Sequence, residues 1–316
     1  MRTLFKRIGE IAIIYGVILL LLKGGILNRQ YSSLIVPIGI NILLAVSLNV
    51  TTGFLGELTL GHAGFMSVGA YAGALVTMNL ELPMYFEFIL ALLIGGTIAA
   101  IFGFLIGVPV LRLHGDYLAI VTLAFGEIIK SIINVLPFTN GAKGLSGIEL
   151  DSNKNHITLV FIIVVLSVIC MINFIKTRQG RAICAIRDNY IAAESCGIKV
   201  SRYKVMAFVM AAFFAGVAGV IYAHNFGILK PTNFDYNKSI EILVIVVLGG
   251  MGSMKGSMIA AVILTILPEM LRVFSDYRML LYAIVLIGLM LFNHSSFYQK
   301  LKDRKNDRET LRKEEI

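Results

Sequence analysis

A succession of apolar runs, separated by short polar connections, constrains this chain more than any other feature of it. The runs fall at about residues 8–22, 33–50, 59–79, 86–110, 117–136, 157–175 and 205–223, with shorter ones at 238–249, 256–272 and 278–293. Several approach or exceed the ~20 residues a helix needs to cross the hydrocarbon core of a bilayer. Charged residues make up 15% of the chain, whereas a soluble domain carries about 25%. That is too little charge to cover a water-facing surface. The expected fold is an all-α, polytopic transmembrane helical bundle of about ten spans, some of them interrupted by glycine. The run at 8–22 follows a basic start like a signal peptide, but LLLLKGGILNRQ after it lacks a small-x-small cleavage site. It reads as an uncleaved first span.

The net charge of +9 is concentrated in two places, the 176–204 segment and the tail beyond Tyr298. Orientation follows the Lys/Arg bias of short loops, so both regions, and both termini, are expected on the cytoplasmic side of the membrane. Topology and contact with anionic lipid account for the basicity, and no nucleic-acid partner is expected. No linker divides the chain: residues 1–298 read as one transmembrane domain with a cytoplasmic segment at 176–204. Residues 299–316, QKLKDRKNDRETLRKEEI from Gln299, form a charged cytoplasmic tail. The polar loop at 137–156 is a candidate docking surface on the other side.

Two glycine-rich stretches interrupt the apolar pattern. In TTGFLGELTLGHAGFMSVGAYAGAL, 51–75, glycines recur every three to five residues, a spacing that lets helix backbones approach closely. The same stretch carries Glu57, Thr59, His62 and Ser67 among Gly56, Gly61 and Gly64 at a membrane boundary. Polar groups there are costly unless they face protein or water, so packing and the lining of a pathway are both open readings. The second stretch, LGGMGSMKGSM at 248–258, lacks the G-x-x-x-x-G-K-[ST] order of a phosphate loop, because Met254 precedes Lys255. Its glycines Gly249, Gly250, Gly252 and Gly256 read instead as a helix break with reversal of the chain. Two glycine-interrupted stretches are also a feature of transporters with paired broken helices.

Other ionisable residues fall within the apolar runs. Glu127 and Lys130 are three apart and share a helix face, so mutual neutralisation is expected, with a place for Glu127 in a pathway as the competing reading. The five histidines and three cysteines show no metal-ligand spacing and the chain has no G-x-S-x-G elbow, so neither a metal site nor an enzyme is expected.

The segment GRAICAIRDNYIAAESCGIKVSRYK, 180–204, has the marks of one short helix. Asp188 suits the N-cap, about two turns follow, and Gly197 suits the left-handed position that ends them. Ala192 and Ala193 would make its exposed surface small and smooth. The basic residues around it, Arg181, Arg187, Lys199, Arg202 and Lys204, are explained by lipid headgroups. A helix of this length is unstable alone in water, so it requires a socket.

The order R-x-I-x-A-I-R-D-N-x-I-A-A-E-x-x-G-I-x-V-x-R-Y-K at 181–204 resembles the coupling region of branched-chain amino acid ABC transporter permeases of the LivM type. Further stretches resemble the family in the same order: TGFLGELTLGHAGFMSVGAYAGAL at 52–75, GDYLAIVTLAFGEIIK at 115–130, TNGAKGLSGI at 139–148 and VLGGMGSMKGSMIAAVILTILPE at 247–269. The resemblance implies a translocation subunit that is not an enzyme and binds no cofactor. ATP and Mg would sit on two cytosolic ATP-binding subunits. These would receive a coupling helix through Arg187, Asp188, Ile191, Ala192, Ala193, Glu194 and Gly197. It further implies a second permease of the LivH type and an extracytoplasmic substrate-binding protein. The chain departs from the family where Phe292 is followed by Asn293-His294-Ser295-Ser296 rather than an Arg-Pro sequence. Urea and short-chain amide permeases are the rival on substrate. A stand-alone secondary carrier or channel is the rival class, though it has no use for a capped cytosolic helix.

Overall fold

A computed structural model describes residues 33–80, 83–113, 115–148, 154–272 and 277–294. The first apolar run, at 8–22, and the charged tail, at 299–316, lie outside the described residues. Helix α1 spans Ile35–Asn49 and continues as a π-helix over Val50–Leu55. There follow α2 (His62–Asn79), α3 (Met84–Val110), α4 (Asp116–Val135) and α5 (Lys154–Lys176). Two short helices, α6 (Arg178–Asp188) and α7 (Tyr190–Ser195), lead into α8 (Val200–Phe226). The described residues end with α9 (Tyr236–Gly249), α10 (Met254–Met270) and α11 (Arg278–His294).

Among the described residues five stretches are long and apolar enough to cross a membrane: Ile35–Leu55, Tyr85–Val110, Asp116–Val135, Ile157–Lys176 and Val200–Phe226. The described helices coincide closely with the apolar runs, but several are shorter than a full crossing. Helix α9 has 14 residues and α10 has 17, about 21 and 26 Å at 1.5 Å per residue, against a hydrocarbon core of about 30 Å. Ten bilayer-length helices are therefore not what the described residues form. Helices α9 and α10 make a hairpin whose turn runs through Gly250 and Gly252, both with positive φ. The break expected at 249–252 is where the structure has it.

Helices α2, α3 and α8 form the centre. Lipid is as apolar as leucine, so helices in a bilayer associate through close packing rather than through exclusion of water. Small residues supply that here: a Cβ on Gly69 of α2 would overlap the backbone of Gly216 in α8, and one on Gly103 of α3 would overlap Ala212. The late residues of α3 meet the early residues of α8, so these two helices run antiparallel. The end of α3, the start of α8, the α6–α7 pair, the end of the π-helix and the α9–α10 turn thus share one end of the bundle.

The opposite end carries the small exception to an all-α fold. Strands β1 (Leu145–Ser146) and β2 (Ile228–Leu229) pair antiparallel, with Leu145 opposite Leu229. Tyr71 of α2 donates its hydroxyl to the Leu229 carbonyl at 3.1 Å. Part of the 137–156 loop is thereby tied to the connection after α8.

Candidate functional site at the helix breaks

The 176–204 segment forms two helices rather than one. Thr177 caps α6, its hydroxyl accepting from the Gly180 amide at 3.2 Å. One face of α6 buries Ala182, Ile183 and Ile186 against the bundle. The helix ends at Asp188, which is drawn to the Arg187 guanidinium at 2.8 Å and is not the cap expected of it. The N-cap of α7 is Asn189: its backbone is extended (φ −161°, ψ 105°) and its side-chain oxygen accepts from the Ala192 amide at 3.1 Å.

The C-terminal signal reads as expected. Gly197 takes φ +82°. Its amide donates to the Glu194 carbonyl at 2.9 Å, and Ile198 donates to the Ala193 carbonyl at 3.1 Å. This is the paired Schellman closure of a helix end. The exposed surface of α7 is not the one expected. Ala193 faces the core at 5% exposure, while Tyr190, Ile191, Ala192 and Glu194 face outward, Ile191 at 61%. Helix α7 thus presents an apolar knob beside a small residue, seated on the bundle through Ala193.

Arg187 joins this pair to both glycine-rich breaks. Its guanidinium donates to the Gly53 carbonyl in the π-helix at 3.2 Å, and its stem lies against Gly56. Gly252, in the α9–α10 turn, sits beside the same guanidinium. Asn49 completes the junction, accepting from the Gly252 amide at 2.9 Å and donating to the Ser257 hydroxyl at 2.9 Å. A Cβ on Gly53 would overlap both the Asn49 side chain and the Gly252 amide, so only glycine lets these backbones meet. The π-helix ends at Gly56, whose φ of +80° turns the chain back. Irregular turns of this kind recur at functional sites.

The turned-back segment climbs into the bundle. Residues 56–61 are not helical, and His62, which opens α2, lies 2.8 Å from Ser47 of α1. Non-helical backbone at such depth is tolerated only where protein or water satisfies it. Here the Leu60 amide donates to the Thr122 hydroxyl at 3.0 Å, and the Ala63 amide to the Ser239 hydroxyl at 3.1 Å. Thr59 is buried 3.5 Å from the Thr51 hydroxyl, and Ser67 donates to the Gly64 carbonyl one turn back at 2.7 Å. Gly61 packs against the Thr122 backbone and Gly64 against Gly126. The Thr52 hydroxyl is buried with no hydrogen-bond partner among the described residues.

Two ion pairs bracket the segment. At its start Glu57 pairs with Lys204, which is 4% exposed. Lys204 therefore does not anchor to headgroups, and Arg187 is likewise engaged within the chain. Higher up, Glu127 pairs with Lys130 at 3.0 Å, as their spacing suggested, and also accepts from the Tyr236 amide that opens α9 at 2.9 Å. The starts of α2 and α9 thus both rest on α4. Sequence reasoning passed over Asn49, Asn189, Thr122 and Ser239, and gave Lys204 to lipid headgroups. The visible signal for the first was an asparagine near the end of an otherwise apolar run. Asn189 offered a cap as good as its neighbour Asp188, and the others gain meaning only from partners far along the chain. Among the described residues no group of three metal-binding side chains comes together.

Interrupted helices buried in a helical bundle, with a short capped helix at one end, define a polytopic helical membrane protein with broken helices. Residues 30–292 match the family described as "Branched-chain amino acid transport system / permease component", and the chain belongs to that family. Among its relatives are the high-affinity branched-chain amino acid transport system permease proteins LivM of Salmonella typhimurium and of Escherichia coli. Each is 36% identical over 285 residues, covering 80% of this chain and 66% of the relative. The chain therefore spans about two thirds of the length of these relatives. The fructose import permease protein FruG of Bifidobacterium longum is 25% identical over 311 residues, covering 90% of this chain and 89% of the relative. No solved structure matches the chain.

Proposed function

We propose that the chain is the membrane-spanning translocation subunit of an ATP-driven importer, with branched-chain amino acids as its cargo. The observation that carries the reading is Arg187, placed between the capped helix α7 and both helix breaks. In this reading the chain crosses the membrane about ten times with both termini and α6–α7 in the cytoplasm. Two ATP-binding subunits supply the ATP, the Mg and the hydrolysis. Each engages one permease, this chain or a LivH-type partner, and an extracytoplasmic binding protein delivers cargo at the β1–β2 end.

A ligand moves an equilibrium only through contacts that differ between two states. Closure of the ATP-binding subunits would grip α7 at Ile191 and Ala192. Displacement of α7 moves Asn189 and Asp188, and with them Arg187. That guanidinium holds the Gly53 carbonyl, so the π-helix and the abutting α9–α10 turn shift together. The 56–61 segment and the start of α2, which carry Glu57, Thr59 and His62, follow. Arg187 is a positioning residue in this mechanism: Arg187→Gln keeps ATP hydrolysis by the assembled transporter and lowers cargo moved per ATP.

Affinity purification of the chain from its own membranes tests the assembly. The reading requires ATP-binding subunits and a second permease in the same complex, and ATP-dependent uptake after reconstitution. A chain that purifies alone and transports without ATP would be a secondary carrier. The substrate is tested separately, by titrating the partner binding protein with leucine, isoleucine, valine, urea and a monosaccharide. The resemblance to a fructose import permease makes the sugar arm necessary.

A further inference from the structure

A groove unrelated to the helix breaks runs along the bundle between the end of α3 and the start of α8. It encloses about 570 Å³. Its walls are apolar, with Phe104 and Val108 on one side and Val205 and Val209 on the other. Arg112 and Arg202 belong to the same groove, at the end toward α7, because each lies beyond the apolar wall on its own helix. Both arginines are exposed, and among the described residues neither pairs with a carboxylate. Phe104 and Val108 are also exposed, at 53% and 41%.

This distribution is unlike that of the other basic residues nearby. Lys204 is buried against Glu57, and Arg187, though exposed, is engaged by the Asp188 carboxylate and the Gly53 carbonyl. Arg112 and Arg202 both line an apolar slot, and among the described residues no carboxylate pairs with either. A guanidinium pairs with phosphate oxygens through a two-pronged hydrogen bond. Basic pockets between membrane helices bind anionic headgroups, most strongly on the negatively charged cytoplasmic leaflet.

We infer that this groove is a binding site for an anionic phospholipid. Its phosphate lies between Arg112 and Arg202, and an acyl chain lies along Phe104, Val108, Val205 and Val209. Charge complementarity favours lipid over a helix of another subunit, which would have to bring carboxylates to the same level. The inference needs only that the chain is a helical membrane protein, so it stands or falls apart from the importer reading.

The test uses the protein extracted with its surrounding membrane in polymer nanodiscs, exchanged against equimolar phosphatidylglycerol and phosphatidylcholine. Lipid retained after mild delipidation is counted by native mass spectrometry. Wild-type protein should keep phosphatidylglycerol over phosphatidylcholine at least fivefold. R112Q/R202Q should fall to the ratio of the bulk mixture, and Lys199→Gln, which removes an exposed charge outside the groove, should match wild type. A photoactivatable phosphatidylglycerol should label wild-type peptides containing Val108 and Val205. Equal retention of both lipids by wild type would mean ordinary boundary lipid and overturn the site. So would an unchanged R112Q/R202Q, or cross-linking of a cysteine placed at Ser201 to another subunit instead of to lipid.

Discussion

Replacing Lys204 by methionine removes the cation from a pair whose side chains are 5% and 12% exposed. Glu57 then remains at the foot of the 56–61 segment without its counter-charge. Breaking a buried pair from one side costs about 3–5 kcal/mol, whereas replacing both partners by uncharged residues is often neutral or better. Lys204→Met and Glu57→Gln should therefore each destabilise strongly, and the double variant should recover more than half of the summed loss. At roughly 2–4 °C per kcal/mol for a domain of 150–250 residues, and toward the lower end for a longer chain, each single change lowers the Tm by about 6–10 °C. The assay is thermal unfolding of the detergent-solubilised protein, read as loss of the monodisperse chromatographic peak across the four-membered mutant cycle. Single changes within about 1 °C of wild type, or losses that simply add in the double variant, would refute the reasoning. In that case Glu57 would be free to act in the pathway as a charge, and its substitution should affect transport alone.

The seat and the outer face of α7 separate in the same way. Ala192→Arg places bulk on the exposed side and should leave the Tm unchanged while cargo moved per ATP falls at least tenfold in reconstituted vesicles. Ala193→Arg points into the core and should reduce the yield of folded protein instead. Asn189→Ala removes the cap of α7 and should cost about 1 kcal/mol locally, seen as faster amide exchange over 190–196 with the rest of the chain unaffected. Burial pushes the Cys184 thiol above its ordinary range, with the Arg187 charge opposing, whereas Cys196 is exposed. Only the thiolate is nucleophilic, so site-resolved iodoacetamide alkylation of Cys184 should rise at higher pH than that of free cysteine in the same buffer; coincident profiles would contradict it.

Much of the helix pattern was legible because the period and length of apolar runs are local properties. The break at Gly249–Gly252 was legible for a similar reason, since glycines between two apolar runs have few other uses there. The end of α7 was read correctly from Gly197, but its beginning was misplaced by one residue. Asp188 and Asn189 are both good caps, and the choice fell to Asn189 because Arg187 claims the Asp188 carboxylate. The exposure of Ala192 and Ala193 was not legible either. Only the seating of α7 on the bundle distinguishes two adjacent alanines.

Local chemistry in the chain determined that this is a helical membrane protein, where its helices break, and that it carries a short capped helix with a family likeness along most of its length. Tertiary structure decided which polar residues satisfy one another. Glu57 and Lys204 are 147 positions apart, Arg187 and Gly53 are 134 apart, and Asn49 and Gly252 are 203 apart. In a low-dielectric bundle each such group must find a partner, but no periodicity reveals which one. The reason is that glycine-lined helices choose their neighbours by shape, and the buried charges and amides are paired only after that choice is made.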